Sequence, residues 1–154
     1  MIIFIGEYDC KVDAKGRIML PAAFRKKMGE IEACRFVIKK DQFDKYLELY
    51  TMEEWERQHS DILNMINLFN PDHKQLYRDF RMGATEVECD HTGRLLIPGR
   101  LLKHAEITNE AVLSGCNGII EIWSPELYFN SGGDAKTKRE RAISIMGNST
   151  KQLK

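Results

Sequence analysis

The chain has 154 residues, of which 43% are hydrophobic and 30% are charged, enough apolar material for a packed core in one domain or two small ones. The 23 Lys and Arg residues balance the 23 Asp and Glu residues, so the formal net charge is zero. This balance excludes the uniformly basic composition that is typical of nucleic-acid-binding proteins, although it leaves room for a local basic patch.

Residues 8–20 predict two short strands around a tight turn. Asp13 and Gly16 stand at the first and fourth positions of a type I turn, in which the Asp side chain accepts backbone N–H bonds and the Gly adopts a left-handed conformation. Successive strand residues point to opposite faces. The residues expected to face a core are Tyr8, Cys10, Val12, Ile18 and Leu20. Those expected to face away are Lys11, Arg17 and Met19.

A short helix is predicted directly after this unit. It should begin at Pro21, because proline is favoured at the first helical position, and end at Gly29, a residue type common at helix C-termini. Apolar runs over 35–38 and 46–50 then predict two strands. The first two residues of the second run fit a helical turn equally well.

Two helices are predicted in the middle of the chain. Thr51 and Glu54 have the spacing of a capping box, and apolar residues recur at helical spacing over 52–69. A break at Asn70 precedes a second expected helix over about 72–82. We expect the apolar stripe of the first helix to lie in the core or in a subunit interface.

The second half of the chain repeats the order of the first. Asp13 to Pro21 and Asp90 to Pro98 share Asp, Gly, Arg and Pro at equal spacing, with apolar residues directly before each Pro. Strand-like runs over 111–113 and 119–123 and a helix start at Ser124 follow the second copy. The order of elements therefore occurs twice, which is the signature of an internal duplication.

These boundaries predict one pseudo-symmetric domain over residues 1–129. Repeat 1 covers about 5–52, a helical connector covers 53–82, and repeat 2 covers about 83–126. The basic C-terminal tail, residues 130–154, is expected to be helical in part and loosely held.

Charge is segregated along this organisation. Between Asp9 and Lys27 basic residues outnumber acidic ones by six to two, and between Asp41 and Asp61 acidic residues outnumber basic ones by seven to two. Such segregation is either ordinary solvated surface or an arrangement that gives one face of a neutral protein a positive potential.

The four cysteines lack C-x-x-C spacing, which argues against both a zinc site and a disulfide framework. No apolar stretch is long enough to span a membrane, and the first residues lack the features of a signal peptide. We therefore expect a cytoplasmic protein with reduced thiols and without a metal, a cofactor or a membrane partner.

Arg17 and Arg94 directly follow the two predicted turns, on equivalent faces. Two arginines presented by equivalent turns suit a repetitive anion such as double-stranded DNA, because the planar guanidinium binds phosphates and guanine edges and a pair of strands can enter the major groove. The alternative is that each Arg only forms an ion pair with the Asp four residues earlier. Both interpretations can hold together, since the Asp can orient an Arg that contacts DNA.

The doubled Asp-x-x-Gly-Arg-x-x-x-Pro unit, with the strand Ile120 to Trp123 closing the second copy, resembles the MraZ family over roughly residues 1–128. The resemblance implies an α+β fold, a small β-barrel of two pseudo-twofold swapped-hairpin (AbrB-like) repeats with flanking helices. It also implies a sequence-specific, nucleoid-associated transcriptional regulator. Such a protein would form a ring-like homo-oligomer on promoter-proximal direct repeats and repress its own division and cell-wall gene cluster.

Carried over by position, the resemblance places the family's Asp and Arg at Asp13 with Arg17 and at Asp90 with Arg94, and the neighbouring residues of the turns and of the first strand complete the expected site. The expected turn and orienting residues are Asp13, Gly16, Asp90 and Gly93. The expected DNA-contacting residues are Arg17, Arg94, Lys15, Lys11, Thr92 and His91. Thr92 stands where the first copy has Lys15, so the second turn is less basic, and His91 partly compensates when it is charged.

An enzyme is not expected, because the chain has no G-x-S-x-G, P-loop or H-E-x-x-H motif. Cys116 is a candidate nucleophile within 114–118, but a Gly-rich turn between two strands explains that segment better. A hydrolytic or redox enzyme that uses Cys116 or Cys89 is therefore the weakest hypothesis. An AbrB-like protein-interaction module of antitoxin type, for which the acidic segment 41–61 leaves room, is the stronger alternative.

Overall fold

The computed structural model describes residues 2–29 and 34–147, and their fold is a mixed α+β arrangement. The strands of this part of the chain are β1 (Glu7–Lys11), β2 (Arg17–Met19), β3 (Arg35–Lys40), β4 (Leu47–Thr51), β5 (Thr85–Glu88), β6 (Arg94–Leu96), β7 (Glu110–Cys116) and β8 (Ile119–Trp123). The helices are α1 (Ala22–Met28), α2 (Met52–Met65), α3 (Pro71–Arg81), α4 (Gly99–His104), α5 (Pro125–Phe129) and α6 (Ala135–Met146). The α+β class predicted from the sequence is confirmed.

The strands form two antiparallel sheets. Six of them follow the order β1-β7-β8-β4-β3-β5, and β2 pairs with β6 in a separate ribbon. The larger sheet is open, with β1 and β5 at its edges, so the closed barrel expected from the resemblance is not found as such among the described strands. The observed order reads the same in reverse when each strand is exchanged for its counterpart in the other half of the chain.

Pairing across each turn is far shorter than the sequence predicts. Val12 and Ile18 form a single bridge across the first turn, and Cys89 and Leu95 form a single bridge across the second. The strands that lead into the turns form their longer ladders with the other half instead: β1 pairs with β7, and β5 pairs with β3. Strands β4 and β8 join the two halves at the centre of the sheet. Local turn chemistry sets the direction of the chain, whereas burial of apolar faces from both halves selects the strand partners.

One apolar core draws on both halves of the chain. Its largest fully buried side chains are Phe4, Phe24, Phe36, Ile18, Leu20, Ile38, Leu47, Leu49, Leu95, Ile97, Leu113 and Ile120. Phe24 of α1 packs edge-on against the rings of Phe4 and Tyr8, with ring centroids 5.3 and 5.1 Å apart. Each fully buried side chain of this size contributes about 1.5–3 kcal/mol relative to an exposed one. Because these side chains come from both halves of the chain, neither half has a complete core alone.

Helices α2 and α3 cover part of the opposite face of the six-stranded sheet. Trp55 of α2 packs edge-on against Tyr50 and stacks on Phe80 of α3, with ring centroids 5.3 Å apart in both pairs. The Oγ1 of Thr51 accepts the backbone N–H of Glu54 at 3.1 Å and so caps α2. In a full capping box the Glu54 carboxylate would also accept the backbone N–H of Thr51. Here this carboxylate accepts hydrogen bonds from Arg57 and Gln58 instead.

The predicted extension of the first middle helix to residue 69 is wrong. Helix α2 ends at Met65, and Phe69 is 97% exposed. Asn67 accounts for the difference, because its Oδ1 accepts the backbone N–H of Phe69 and its own N–H donates to His73 Nδ1. These local bonds offer the backbone an alternative to the helix. Because the Phe69 ring is exposed, its burial does not stabilise a longer helix.

The short helices after the two prolines begin one residue later than predicted. Pro21 and Pro98 are extended residues at the helix N-caps, with ψ of 138° and 133°. Gly29 has a φ of 80° at the end of α1, in the left-handed region that favours glycine. Within the described residues, no helix combines the length and apolar character needed to cross a bilayer.

The described part of the predicted tail contains one helix, α6, none of whose residues is buried. The last residues, 148–154, and the segment 30–33 between α1 and β3 lie outside the described part of the chain.

Candidate nucleic-acid interface

The first turn is held by its aspartate. The backbone N–H of Gly16 donates to the Asp13 carbonyl at 3.0 Å, and Gly16 has a φ of 84°. Asp13 Oδ1 accepts the backbone N–H groups of Lys15 and Arg17, each at 2.9 Å, and Oδ2 accepts Arg17 Nε at 2.7 Å. One carboxylate therefore closes the turn and also holds the arginine side chain at its Nε atom.

The second turn repeats this geometry and adds one contact. Asp90 Oδ1 accepts the backbone N–H groups of Thr92 and Arg94, and Oδ2 accepts Arg94 Nε at 3.2 Å. The Thr92 hydroxyl donates to Asp90 Oδ1 at 2.6 Å and accepts a second bond from Arg94 Nε at 2.9 Å. Thr92 thus orients Arg94, a role that the sequence analysis, which expected DNA contact from it, did not identify.

Both aspartates are stabilised in their ionised form. The backbone N–H of Arg17 is the main cause that lowers the pKa of Asp13, and the Thr92 hydroxyl is the main cause that lowers the pKa of Asp90. The guanidinium charges of Arg17 and Arg94 act in the same direction. Each turn therefore keeps a charged Asp–Arg pair at neutral pH.

The two arginines share one face of the β2–β6 ribbon. Ile18 lies opposite Leu95 in the ladder, and both side chains are buried in the core at 1% exposure. Their neighbours alternate to the outer face, where Arg17 lies opposite Leu96 and Met19 lies opposite Arg94. Arg17 and Arg94 are thus diagonal neighbours, a relationship that separates residues by roughly 7–8 Å.

Backbone hydrogen bonds tie both turns to the ribbon. The N–H of Ile97 donates to the Gly16 carbonyl at 2.9 Å, and the N–H of Leu20 donates to the Gly93 carbonyl at 3.0 Å. Each turn is therefore held by the residue that directly follows the ribbon strand of the other half.

The terminal nitrogens of these arginines are left available. Each ion pair uses only Nε, and the described residues provide no hydrogen-bond acceptor for the Nη atoms of Arg17 or Arg94. Their side chains are 29% and 32% exposed. The aspartates therefore hold the arginines from one side and leave the outer end of each guanidinium for another acceptor.

A shallow cleft of about 580 Å³ brings together three of the expected contact residues, Lys11, Arg17 and Arg94. Lys11 ends β1 opposite Glu110, which also lines this cleft. The acid offsets part of the positive charge on this side of the ribbon.

The remaining expected contacts lie elsewhere on the turns. Lys15 and Thr92 are exposed in the turns themselves. His91, also exposed, lines a different and smaller cleft together with Cys89 and Arg25. The structure therefore does not bring His91 into the arginine cleft.

Arg25 of α1 is a structural residue of the interface that was not predicted from the sequence. Its Nε donates to the Leu20 carbonyl at 3.0 Å, and its guanidinium lies against Gly93, where an added Cβ would meet Arg25 Nη1 at 2.8 Å. The only available signal was its position four residues after Pro21, which matches Leu102 after Pro98. Leu102 lies in the same way against Gly16.

A metal site and a nucleophilic cysteine are the other kinds of site that the sequence raised. Over residues 2–29 and 34–147, no group of three or more His, Cys, Asp or Glu side chains is arranged to hold a metal ion. Cys116 ends β7, and the two residues after it form the connection to β8, with Asn117 at a φ of 55°. This is the strand-to-strand turn that the sequence favoured over a nucleophilic loop.

The chain is similar in sequence to known proteins over most of its length. The family model of the MraZ protein, which its description likens to antitoxins, matches residues 3–79 and 80–131. The protein named "Transcriptional regulator MraZ" from Christiangramia forsetii is 42% identical over 149 residues, which cover 96% of each chain. The protein of the same name from Flavobacterium psychrophilum is 39% identical over 149 residues, covering 96% of this chain and 94% of its own. That from Cytophaga hutchinsonii is 39% identical over 128 residues, or 83% of each chain.

Proposed function

The chain belongs to the MraZ family, and from that premise we propose that it is a transcriptional regulator that binds double-stranded DNA through the outer face of the β2–β6 ribbon. The observation that carries the proposal is the placement of Arg17 and Arg94. Both lie on one exposed face, and both keep their Nη atoms without a protein acceptor among the described residues. The names of the relatives support regulation of transcription rather than catalysis.

The ribbon has a shape and chemistry that suit the major groove. The groove is about 12 Å wide and admits two antiparallel strands. Arginine Nη atoms can bind guanine O6 and N7 or phosphate oxygens. Met19 and Leu96, exposed at 44% and 57% on the same face, supply apolar contacts of the kind that thymine methyl groups accept.

Asp13 and Asp90 serve as positioning residues in this proposal. Each holds the Nε of its arginine, which reduces the side-chain freedom that binding would otherwise remove. Lys11, Lys15, Thr92 and His91 complete the proposed contact surface from the strand end and the turns.

Oligomerisation explains how a protein of zero net charge holds DNA. One ribbon reaches few phosphates, and therefore binds weakly. Several copies linked in a ring and facing direct repeats near a promoter raise the affinity through effective concentration. Exposed apolar residues on the connector helices and the loop between them, among them Met65, Phe69 and Leu76, provide surface for contacts between copies.

The AbrB-like architecture, the single domain over 1–129 and the cytoplasmic, nucleoid-associated location belong to the same proposal. The bridges Val12–Ile18 and Cys89–Leu95 support a small barrel, because they link the ribbon to both edge strands of the larger sheet. Repression of the chain's own gene cluster follows from the family premise.

The experiment is a binding titration with labelled duplex from the region upstream of the protein's own gene, together with a mass measurement in solution. We expect an oligomer that binds this duplex more tightly than a scrambled duplex of equal length. The affinity should fall steeply between about 50 and 200 mM salt, because phosphate contacts release counterions. Equal affinity for both duplexes, or an affinity independent of salt, would contradict the proposal.

A protein-interaction module of antitoxin type is the second candidate, favoured by the description of the family model. It predicts a stoichiometric protein partner that remains bound after nuclease treatment, and no preference between the two duplexes. The same titration therefore separates the two functions.

A further inference from the structure

Cys34 and Cys89 lie opposite each other where β3 and β5 meet. Cys34 directly precedes β3 and Cys89 directly follows β5, and the register that pairs Arg35 with Glu88 places the two cysteines in the next position. The N–H of Cys89 donates to the Cys34 carbonyl at 3.0 Å. Residues in such a hydrogen-bonded antiparallel pair have Cα atoms about 5.5 Å apart, which is within the range that a disulfide spans.

The two side chains also line one cleft of about 50 Å³, together with Arg25, Met28 and His91. The two thiols interact closely enough that each shifts the pKa of the other. Cys34 is 4% exposed, whereas Cys89 is partly exposed. A small oxidant can therefore reach the pair through the cleft.

The surroundings assign different roles to the two sulfurs. The hydrogen bond from the Cys89 thiol, with the positive charge of Arg25, lowers the pKa of Cys34. The contact with Cys34, followed by burial, raises the pKa of Cys89. Since the thiolate is the nucleophilic form and Arg25 lines the cleft beside the pair, Cys34 is assigned as the sulfur that reacts first and Cys89 as the sulfur that then attacks it.

The equivalent place in the first half of the chain has the same backbone and no sulfur. There the N–H of Val12 donates to the Asn109 carbonyl at 2.9 Å, which matches the Cys89–Cys34 bond. The thiol pair is therefore a feature of the second turn alone, and the fold does not require sulfur at this position.

Cys10 and Cys116 serve as internal comparisons. Burial raises the pKa of Cys10 to about 11 and raises that of Cys116 as well. The Cys10 thiol donates to the Tyr8 carbonyl, and the described residues place no second thiol beside either one.

We propose that Cys34 and Cys89 form a reversible disulfide when the protein meets a peroxide, and that this bond ties the strand entering the second turn to β3. The Cys34 thiolate attacks one peroxide oxygen, the O–O bond breaks, and with hydrogen peroxide the leaving hydroxide takes up a proton to become water. Cys34 is left as a sulfenic acid. The Cys89 sulfur then attacks the Cys34 sulfur, and the sulfenic oxygen leaves as a second water with the thiol proton. Two thiols are oxidised and one peroxide is reduced.

The disulfide would include Cys89, the residue directly before Asp90, so it would change how rigidly the second turn is held. A dithiol reductant reverses it by thiol–disulfide exchange. The inference depends only on the register and contacts of the two cysteines, so it stands or fails independently of DNA binding.

The test uses the full chain carrying Cys10→Ser and Cys116→Ser, treated with hydrogen peroxide, alkylated under denaturing conditions and mapped by mass spectrometry. We expect one linked peptide pair containing Cys34 and Cys89, a loss of about 2 Da per chain before alkylation from the two hydrogens removed, and full reversal by dithiothreitol. Unlinked alkylated thiols, or further oxidation to sulfinic acid without a link, would overturn the proposal.

Single variants in the same background test the roles of the two sulfurs. In Cys89→Ser, the sulfenic acid at Cys34 has no resolving thiol, so it should be trapped by dimedone. In Cys34→Ser, Cys89 should remain an unmodified thiol under the same treatment. A dimedone adduct on Cys89 and none on Cys34 would reverse the assignment and contradict it. The same peptide mapping by mass spectrometry on the wild-type protein keeps the test valid if one serine variant folds poorly.

Discussion

Ile18 and Leu95 face each other across the β2–β6 ladder, and each is buried to 1% exposure although they come from opposite halves of the chain. This contact sets the orientation of the whole ribbon. Because strand residues alternate between faces, burial of this pair places Arg17 and Arg94 together on the outer side. The functional face is therefore a consequence of how the core is packed.

The first prediction concerns this buried pair. Ile18→Ala should lower the free energy of unfolding by about 2–5 kcal/mol, because it removes buried methyl groups and leaves a cavity. Met19→Ala, on the outer face of the same strand, should change it by less than about 0.5 kcal/mol. Denaturant titration of both variants measures the difference, and equal losses would contradict the assigned orientation of the ribbon.

The second prediction separates the two functions of the Asp13 carboxylate. Asp13→Ala removes the acceptors for two backbone N–H groups and for the Arg17 side chain, and should measurably lower the free energy of unfolding. Asp13→Asn keeps an oxygen acceptor for the two backbone N–H groups, but it replaces the oxygen that accepts Arg17 Nε with an NH2 donor. It should therefore lower the free energy of unfolding by less than Asp13→Ala does. An Asn variant as unstable as the Ala variant would show that charge, and not turn closure, is the main contribution.

The third prediction compares the glycines of the two turns. Gly16 and Gly93 have φ of 84° and 87°, so alanine at either position should cost about 1–2 kcal/mol of unfolding free energy from backbone strain. An added Cβ at Gly16 meets the Ile97 carbonyl at 3.2 Å, whereas at Gly93 it meets the flexible end of Arg25. Gly16→Ala should therefore be the more destabilising variant. The reverse order in thermal unfolding would contradict this packing.

The fourth prediction concerns pH. The pKa values of Asp13 and Asp90 lie below the ordinary value of 3.8 in the folded protein. A carboxyl with a lowered folded-state pKa stabilises the fold above its unfolded-state pKa, and loses that contribution as the pH falls through the folded-state value. The stability difference between the wild type and the double variant Asp13→Asn, Asp90→Asn should thus be constant from pH 7 to about 4 and narrow below that. A difference that narrows between pH 7 and 5, measured by denaturant titration, would contradict the ionised turns.

Local chemistry in the sequence predicts the turns well, because the interactions that close them are short in sequence. The carboxylate of Asp13 reaches the N–H groups two and four residues later, so the residue types and their spacing are sufficient. The exposed side of Arg17 follows from simple alternation along the strand. The same reasoning places Arg94, because the second copy repeats the spacing.

Strand partners could not be predicted in this way. The pairing of β2 with β6 joins residues more than seventy positions apart, and it depends on apolar surfaces that only the folded core brings together. The orienting role of Thr92 was not predicted either, because it depends on a hydrogen bond from Arg94 Nε to the Thr92 hydroxyl. The end of α2 at Met65 depends on local bonds of Asn67 that compete with an otherwise continuous helical pattern.

The most direct test of the account is the affinity of arginine variants for duplex DNA from upstream of the protein's own gene. Arg17→Ala and Arg94→Ala should each weaken binding by about 5- to 150-fold, which corresponds to about 1–3 kcal/mol. Arg78→Ala, an exposed arginine on α3, should bind as the wild type does and serves as the matched control. Wild-type affinity in both ribbon variants, with their fold and oligomer mass unchanged, would contradict DNA recognition by this face.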